Sequence, residues 1–328
     1  MPPLLEVDHL RVEFPTRRGI LTAVDDVSFK LETGEILGVV GESGAGKSMT
    51  GYAIIGLLEP PGRIAGGTIK LAGERIDNLS PEAIRRVRGR QIGAIFQDPL
   101  TSLNPLLRIS DQIVETIRTH LDFTEKQARA RALELLNEVG IPAAEERMDQ
   151  YPHQFSGGMR QRIVIALALC AGPKLIVADE PTTALDVSIQ AQIIRLLKRL
   201  CREHGTSVIL ITHDMGVIAE TADRVAVMYA GRIAEIGPVR DVIKKARHPY
   251  TRGLMASIPS IRARHEELAQ IPGSMPRLSE IPQGCAFSAR CSETMDRCRR
   301  DRPDLVKDGA TSTACWLYAQ AETEAVHG

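Results

Sequence analysis

A glycine-rich segment with the composition of a phosphate-binding loop, Gly41-Glu42-Ser43-Gly44-Ala45-Gly46-Lys47-Ser48, follows an apolar run that ends at Val40. Glycines at these spacings let consecutive backbone N–H groups converge on one anion, and a helix starting at the Lys-Ser pair points its positive end at the same place. We expect Lys47 to reach the β- and γ-phosphates of a nucleotide and the Ser48 hydroxyl to bind Mg²⁺. The segment therefore predicts a nucleotide site.

Two adjacent carboxylates, Asp179 and Glu180, end a second apolar run, which begins at Lys174. In a nucleotide site we expect Asp179 to hold Mg²⁺ through its water shell and Glu180 to orient and deprotonate the attacking water. The plain alternative for an isolated Asp-Glu-Pro is a solvated strand end. The phosphate-binding segment upstream makes that alternative the weaker one.

Both groups need an apolar strand behind them, and the chain supplies several strand-like patterns. They cover 4–14, 20–32, 66–73, 92–96, 174–178 and 207–212, with a hairpin over 225–236 broken by Tyr-Ala-Gly. Helical patterns cover most of 100–170, including a capped helix over 124–140, and a further amphipathic helix starts at Ser188. The alternation predicts an α/β fold, with a largely parallel, helix-covered sheet interrupted by a helical insertion. Prolines after residue 245 mark a separate tail.

Composition narrows the class of partner. Lys+Arg and Asp+Glu are both 41 in 328 residues, so no charge bias favours nucleic acid or acidic lipid. The first residues lack the features of a secretory signal. The longest apolar run, 163–171, has nine residues, whereas a membrane span needs about 20. We expect a soluble chain whose membrane role, if it has one, comes through a partner.

The run Phe155-Ser156-Gly157-Gly158-Met159-Arg160-Gln161-Arg162 resembles the signature of ATP-binding-cassette (ABC) ATPases, which ordinarily reads Leu-Ser-Gly-Gly-Gln. Other family elements follow in the expected order. Gln97 is similar to the Q-loop glutamine, 184–186 to the D-loop, and His213 to the switch histidine. Ser156 is also well placed to cap a helix whose first turn is Gly-Gly-Met, leaving its N–H groups unobstructed.

The resemblance implies an ABC nucleotide-binding domain, with a RecA-like core sheet, an N-terminal antiparallel β-subdomain and a helical subdomain. It implies that two cassettes clasp ATP between them, the signature of one meeting the γ-phosphate held by the other. Phe14 corresponds in position to the aromatic residue that stacks on adenine, and packing in the N-terminal sheet is the alternative. The implied catalytic residues are Glu180 and His213, with Asp186 in the D-loop. The implied ligands are, for ATP, Phe14, Gly41, Ser43, Gly44, Ala45, Gly46, Lys47, Ser48 and Met49; for Mg²⁺, Ser48, Gln97 and Asp179; and for ATP in trans, Ser156, Gly157, Gly158 and Met159.

Three runs point to one branch of the family. The segments 95–105, 151–159 and 248–259 resemble the D-type ATPase subunit of dipeptide and oligopeptide importers, and Met49 agrees, since the partner-type subunit usually has Thr there. The resemblance implies a heterodimer with a second cassette, two transmembrane permease subunits, a peptide-binding protein outside, and a location on the cytoplasmic face of the inner membrane. Nucleic acid is not an expected partner. We expect an ABC domain over 1–245, with its helical subdomain near 98–170, and a transporter C-terminal region over 246–328.

Four of the six cysteines, Cys285, Cys291, Cys298 and Cys315, crowd the end of the chain. The absence of a CxxC pair disfavours an ordinary zinc ribbon, and a cytosolic location disfavours disulfides. Four thiolates are a suitable ligand set for an iron–sulfur cluster, and the permease branch is known to carry a [4Fe-4S] cluster at a similar set. Zinc and free thiols remain the alternatives.

Other functions stay open at this point. One alternative keeps the importer class and changes the cargo to nickel, glutathione or murein peptides. The sequence of the ATPase cannot separate these cargoes, because the ATPase does not touch the cargo. A soluble ABC ATPase acting on ribosomes or DNA commonly has two cassettes or a coiled-coil insertion, and this chain shows neither a heptad run nor a basic bias. Lys47, Asp179, Glu180 and His213 argue against a non-hydrolysing, regulatory cassette.

Overall fold

The computed structural model describes residues 2–183, 185–257 and 270–318. Its strands are β1 (Leu5–Thr16), β2 (Gly19–Leu31), β3 (Ile36–Val40), β4 (Arg63–Leu71), β5 (Glu74–Arg75), β6 (Ile92–Ile95), β7 (Leu175–Asp179), β8 (Ser207–Thr212), β9 (Arg224–Tyr229), β10 (Arg232–Pro238), β11 (Val306–Asp308) and β12 (Thr311–Thr313). Its helices are α1 (Lys47–Ile54), α2 (Pro81–Val87), α3 (Pro99–Ser102), α4 (Ile109–His120), α5 (Glu125–Glu138), α6 (Ala144–Arg147), α7 (Gly157–Leu169), α8 (Val187–His204), α9 (Met215–Thr221), α10 (Val239–Lys244), α11 (Pro249–Ala256) and α12 (Asp296–Arg300).

The chain divides into two compact units. The first contains Leu31–Ile36 and Leu71–Ile211, together with residues up to Leu5. The second contains Glu6–Lys30, Leu37–Lys70 and the chain from Thr212 onward. The carboxylates and the signature thus belong to the first unit, and the glycine-rich segment belongs to the second.

Parallel strands position the carboxylates in the first unit. β6 pairs with β7, and β7 pairs with β8, both in parallel. Every residue of β7 and β8 is buried, as expected for strands covered by helices on both faces. The register places Asp179 opposite Ile211. Side chains at the carboxyl ends of these strands therefore share one edge.

A helical layer follows the strands of the first unit, built from α3 to α7. α4, α5 and α7 pack together through buried apolar side chains, among them Ile113, Ile117, Leu135, Leu136 and Ile163. Thr124 caps α5 in a reciprocal capping box with Gln127, and Gly140 follows its end at φ +76°. The helix predicted over 124–140 is confirmed, and so are its start and stop residues.

Mixed pairing positions the glycine-rich segment in the second unit. β1 lies between β2 and β4. Elsewhere in this unit β3 lies parallel to β9, with Val40 opposite Val227. β9 and β10 form the antiparallel hairpin predicted over 225–236. β12 then pairs with β10, with Glu235 opposite Thr313, and β11 pairs with β12. Residues beyond 245 thus add strands to the unit that holds the glycine-rich segment. Among the described residues, the structure has no helix that is both long and apolar enough to span a bilayer.

Candidate functional site

The glycine-rich segment is a tight loop between β3 and α1. Gly46 has φ +95°, and a Cβ on it would lie 2.7 Å from the carbonyl oxygen of Ala23. A Cβ on Gly41 would overlap the carbonyl oxygen of Met228. Side chains larger than hydrogen are therefore excluded at both positions. No side chain in the described part of the chain caps α1, and its first turn carries no acidic residue. Both features suit a helix end that receives an anion.

Lys47, the first residue of α1, turns back across this loop. Its side chain is buried, with the residue 6% exposed. Nζ donates hydrogen bonds to the carbonyl oxygens of Gly41 at 2.8 Å and Glu42 at 3.0 Å. The ammonium group is thereby held inside the loop, where a phosphate oxygen would replace or join these acceptors. Of the loop residues, Ser43 and Gly44 are exposed, Ala45 is buried, and Ser48 and Met49 are half-buried.

Glu180 is held in an unusual backbone conformation directly after β7. Asp179 is buried, with 5% of the residue exposed, and Glu180 has φ +46°. This left-handed conformation is strained for a residue with a side chain. A hydrogen bond from the Glu180 N–H to the carbonyl oxygen of Ile211 (2.8 Å) supports it. The backbone at Glu180 thus departs from the extended conformation of β7.

Two side chains hold the Glu180 carboxylate. Its Oε2 accepts hydrogen bonds from Gln97 Nε2 at 3.3 Å and from Thr183 Oγ1 at 2.8 Å. Gln97 lies after β6, so the parallel pairing of β6 and β7 brings it to Glu180. Two sequence-predicted residues, 83 positions apart, are thus in direct contact. Thr183 was not predicted, although a hydroxyl three residues after a catalytic carboxylate is a readable signal.

Ser156 begins the signature helix α7. Its hydroxyl accepts a hydrogen bond from the Met159 N–H at 3.4 Å, and its own φ and ψ are −64° and 162°. The predicted N-cap is confirmed. Ser156 and Gly157 are exposed, and a Cβ on Gly158 would lie 2.9 Å from a methyl carbon of Ile189. The helix end is therefore open to solvent on one side and packed closely on the other.

The remaining predicted residues fall at element ends. His213 is exposed directly after β8, and Asp186 is the residue that precedes α8. Ala184, part of the predicted D-loop, lies outside the described residues. Phe14 is half-buried on β1, where its ring packs against Gly62: a Cβ there would lie 2.6 Å from the ring. The ring thus makes a packing contact beside Gly62, and adenine stacking by Phe14 stays a prediction.

Comparison with known proteins decides the family. Residues 24–183 match the family described as ABC transporter, and residues 234–298 match Oligopeptide/dipeptide transporter, C-terminal region. The oligopeptide transport ATP-binding protein AppD of Bacillus subtilis (strain 168) is 46% identical over 99% of both chains. The dipeptide transport ATP-binding protein DppD of the same strain is 48% identical over 99% of this chain and 98% of the relative. The chain belongs to the ABC transporter ATP-binding proteins.

A solved cassette agrees with this assignment. The ATP-binding cassette MJ0796, in a dimeric post-hydrolysis state bound to ADP and Pi, superimposes with a TM-score of 0.64 and 28% identity. The alignment covers 72% of this chain and 99% of that one. The ABC nucleotide-binding fold predicted from the motifs is confirmed.

The four late cysteines of this cassette protein line one cavity. A backbone hydrogen bond joins two of them, from the Cys285 N–H to the Cys298 carbonyl oxygen at 2.7 Å. Burial raises the pKa of the Cys285 thiol to about 11, and the other three thiols add to the effect. Among the described residues, however, no group of three or more His, Cys, Asp or Glu is arranged to hold a metal ion. The matched C-terminal family region contains Cys285, Cys291 and Cys298, whereas Cys315 lies beyond it.

Two arginines that are close to the cysteines in sequence are engaged elsewhere. Arg290, next to Cys291, is committed to an ion pair with Glu42. Arg297 lies over the ring of Trp316, 3.5 Å from its centroid. Arg252 opposes the effect of burial on the pKa values of Cys291 and Cys315, but it forms an ion pair with Glu293 at 2.7 Å, and Glu293 raises the pKa of Cys291. Arg252 comes from α11, well before the cysteines in sequence, and sequence reasoning missed it.

Proposed function

We propose that this ABC ATPase hydrolyses ATP to drive the import of dipeptides or oligopeptides. The proposal rests on the family match over the C-terminal region and on full-length relatives that are named as oligopeptide and dipeptide transport ATP-binding proteins. The protein then acts as a peripheral subunit on the cytoplasmic face of the membrane. It works with two permease subunits, and a peptide-binding protein delivers the cargo from outside.

The chemical roles follow from the two groups of residues. By the family resemblance, the backbone N–H groups of the loop and Lys47 would hold the β- and γ-phosphates, and Ser48, Gln97 and Asp179 would be the Mg²⁺ ligands. Glu180 accepts a proton from the attacking water, and His213 donates a hydrogen bond to the γ-phosphate. The observation that supports the hydrolytic step is the Glu180 carboxylate, held by Gln97 and Thr183 on a strained backbone. Strain of this kind is typical of catalytic residues.

A second cassette completes each ATP site in this proposal. The N-terminal end of α7, exposed at Ser156 and Gly157 and half-buried at Gly158 and Met159, meets the γ-phosphate held by the partner. The dimeric state of the solved cassette supports this arrangement. A non-identical partner cassette is what the peptide-importer resemblance implies. The relatives do not favour action on ribosomes or DNA, or cargo such as nickel, glutathione or murein peptides.

Glu180→Gln tests the proposal. The amide keeps the size of the side chain but accepts no proton from water, so we expect ATP to bind with wild-type affinity. We expect turnover to fall by about 100-fold or more, the usual contribution of a general base. Equilibrium binding of a fluorescent ATP analogue and steady-state phosphate release measure the two quantities.

Lys47→Ala is the paired variant, since it alters binding rather than the chemical step. We expect it to lose most of its ATP affinity because the loop then lacks its only cation between Gly41 and Ser48. Wild-type turnover in Glu180→Gln removes Glu180 from the role of base. Wild-type ATP binding in Lys47→Ala contradicts the phosphate-loop assignment.

For the four cysteines we propose a [4Fe-4S] cluster. The support is the convergence of four thiols on one cavity, with Arg252, itself paired with Glu293, near two of them. The raised pKa values of Cys285, Cys291 and Cys315 mean that binding of the cluster releases protons. Zinc and free thiols are the alternatives that the assay separates.

Iron and acid-labile sulfide assays on anaerobically purified protein test this cluster. We expect about four of each per chain, and loss of both in Cys→Ser variants of the four residues. Cys170→Ala is the matched control, because Cys170 is a buried cysteine of the other compact unit. Bound zinc without sulfide, or no metal at all, rejects the cluster.

The domain boundary at residue 245 stays a prediction.

A further inference from the structure

Glu42, the second residue of the phosphate loop, forms hydrogen bonds with two side chains of the C-terminal region. Its carboxylate accepts hydrogen bonds from both ends of the Arg290 guanidinium, Nη1 to Oε2 at 2.8 Å and Nη2 to Oε1 at 3.0 Å. Its backbone N–H donates to the Tyr250 hydroxyl at 2.8 Å. All three residues belong to the same compact unit. A two-pronged arginine–carboxylate pair fixes direction as well as distance.

Arg290 is itself immobilised. Its side chain is 7% exposed, and further hydrogen bonds run from Nε to the carbonyl oxygen of Pro272 at 2.8 Å and from Nη2 to that of Gly273 at 3.3 Å. Burial alone lowers the pKa of Arg290, but its hydrogen bonds to Glu42 and Tyr229 outweigh burial and the net pKa is raised. A cation held this way cannot follow a moving partner, so it restrains Glu42.

Tyr250 is equally rigid. It is wholly buried in α11, and its ring packs edge-on against Tyr229, with centroids 4.7 Å apart. Phe287 contacts the same two rings. Burial raises the pKa of the Tyr250 hydroxyl, so the group stays neutral at physiological pH. Its oxygen is a fixed acceptor for the loop N–H.

The restraint reaches the groups that bind phosphate. Lys47 Nζ is held by the carbonyl oxygens of Gly41 and Glu42, so the placement of Glu42 sets the placement of Lys47. On the assumption that the proposed function is right, we propose that Arg290 and Tyr250 are positioning residues of the phosphate loop, which they preorganise for ATP through Glu42. Neither touches the nucleotide. The C-terminal region thereby contributes to the affinity of the cassette for ATP.

A double-mutant cycle tests this inference. We expect Arg290→Gln and Glu42→Gln each to weaken binding of a fluorescent ATP analogue by about fivefold or more, the usual range for coupled sites. If Arg290 acts through Glu42, the double variant binds about as weakly as either single variant. Additive losses overturn the inference, because they show that Arg290 acts independently of Glu42.

Milder and matched variants separate positioning from folding. Tyr250→Phe removes only the hydroxyl acceptor, and we expect weaker ATP binding with an unchanged thermal midpoint. Arg247→Ala is the control, since Arg247 pairs with Asp308 in the same region and does not contact the loop in the hydrogen bonds and ion pairs of the described residues. We expect it to bind ATP as wild type does. Equal loss of affinity in Arg247→Ala overturns the inference, as does wild-type affinity in Tyr250→Phe and Arg290→Gln.

Lys47→Ala separates a failure of this inference from a failure of the phosphate-loop assignment. If Lys47→Ala loses ATP binding and the Arg290 and Tyr250 variants do not, the inference fails and the proposed function stands. If Lys47→Ala binds ATP as wild type does, the phosphate-loop assignment fails first.

Discussion

At the scale of single residues, the proposed role of Glu180 in ATP hydrolysis depends on how its carboxylate is held. Glu180 lies at φ +46°, a conformation that costs of the order of 1–3 kcal/mol. Gln97 and Thr183 hold its Oε2. Hydrogen bonds to a charged group are stronger than those between neutral groups, so these two donors fix the direction of the carboxylate as well as stabilising its charge.

Thr183→Val tests this geometry. The variant keeps the shape of the side chain and removes the 2.8 Å hydrogen bond to Glu180. A hydrogen bond to a charged group contributes about 1.5 kcal/mol, so we expect kcat for ATP hydrolysis to fall by about tenfold with KM nearly unchanged. Thr183→Ser retains the hydroxyl and should restore turnover. If Thr183→Val keeps the wild-type kcat, Thr183 does not position the base.

At the scale of elements, the N-terminal ends of three helices differ in how they are capped and in whether they belong to the proposed nucleotide site. α1 starts at a glycine without a capping side chain, whereas α7 starts at Ser156, which caps the N–H of Met159. α5 starts at Thr124, which makes a similar cap in a helix outside the proposed nucleotide site. In the proposed function the first end receives phosphate, and the second, which is exposed at Ser156 and Gly157, meets the ATP of the partner cassette.

Ser156→Ala and Thr124→Ala separate the structural role of a cap from a functional one. Loss of either cap costs about 1 kcal/mol, so we expect similar, small drops in thermal midpoint. Only Ser156→Ala should lower the ATPase rate of the chain assembled with its partner cassette and permeases. Equal ATPase rates in the two variants contradict a role for Ser156 at the partner's ATP.

At the scale of the whole molecule, stability should depend on pH through a buried histidine. His248 is 3% exposed. Its ring Nδ1 accepts a hydrogen bond from the backbone N–H of Tyr250, and its backbone N–H donates to the Glu235 carboxylate. Burial, and then the charge of Arg252, lower the pKa of His248 to about 4. An unfolded histidine has a pKa of about 6.5. Between these values the unfolded chain binds more protons, so stability falls as pH falls through this window.

His248→Asn checks this pH dependence, since an asparagine oxygen also caps a helix N–H and does not titrate. We expect the wild-type thermal midpoint to drop more than that of the variant between pH 7 and pH 5. The slope attributable to one such group is at most about 1.4 kcal/mol per pH unit. Parallel curves for the two proteins contradict the assignment.

Local patterns in the sequence predicted the elements well. β8 occupies Ser207–Thr212 as predicted, α5 begins after Thr124, and Ser156 caps α7. Each is read from residues within a few positions of one another, because apolar periodicity and capping are local effects. The strand β12 was missed. Its three residues gain their structure from pairing with β10, and this pairing has no local signal.

By itself, the sequence determined the identity of the cassette, since glycine, lysine and carboxylate spacings dictate phosphate chemistry wherever the loop and strand form. Only the tertiary structure decided which groups hold those residues in place. Arg290 and Glu42 are 248 positions apart, and Arg252, which acts on the pKa values of Cys291 and Cys315, belongs to α11, far from both in sequence. Such contacts depend on long-range packing, which places side chains together irrespective of their separation along the chain.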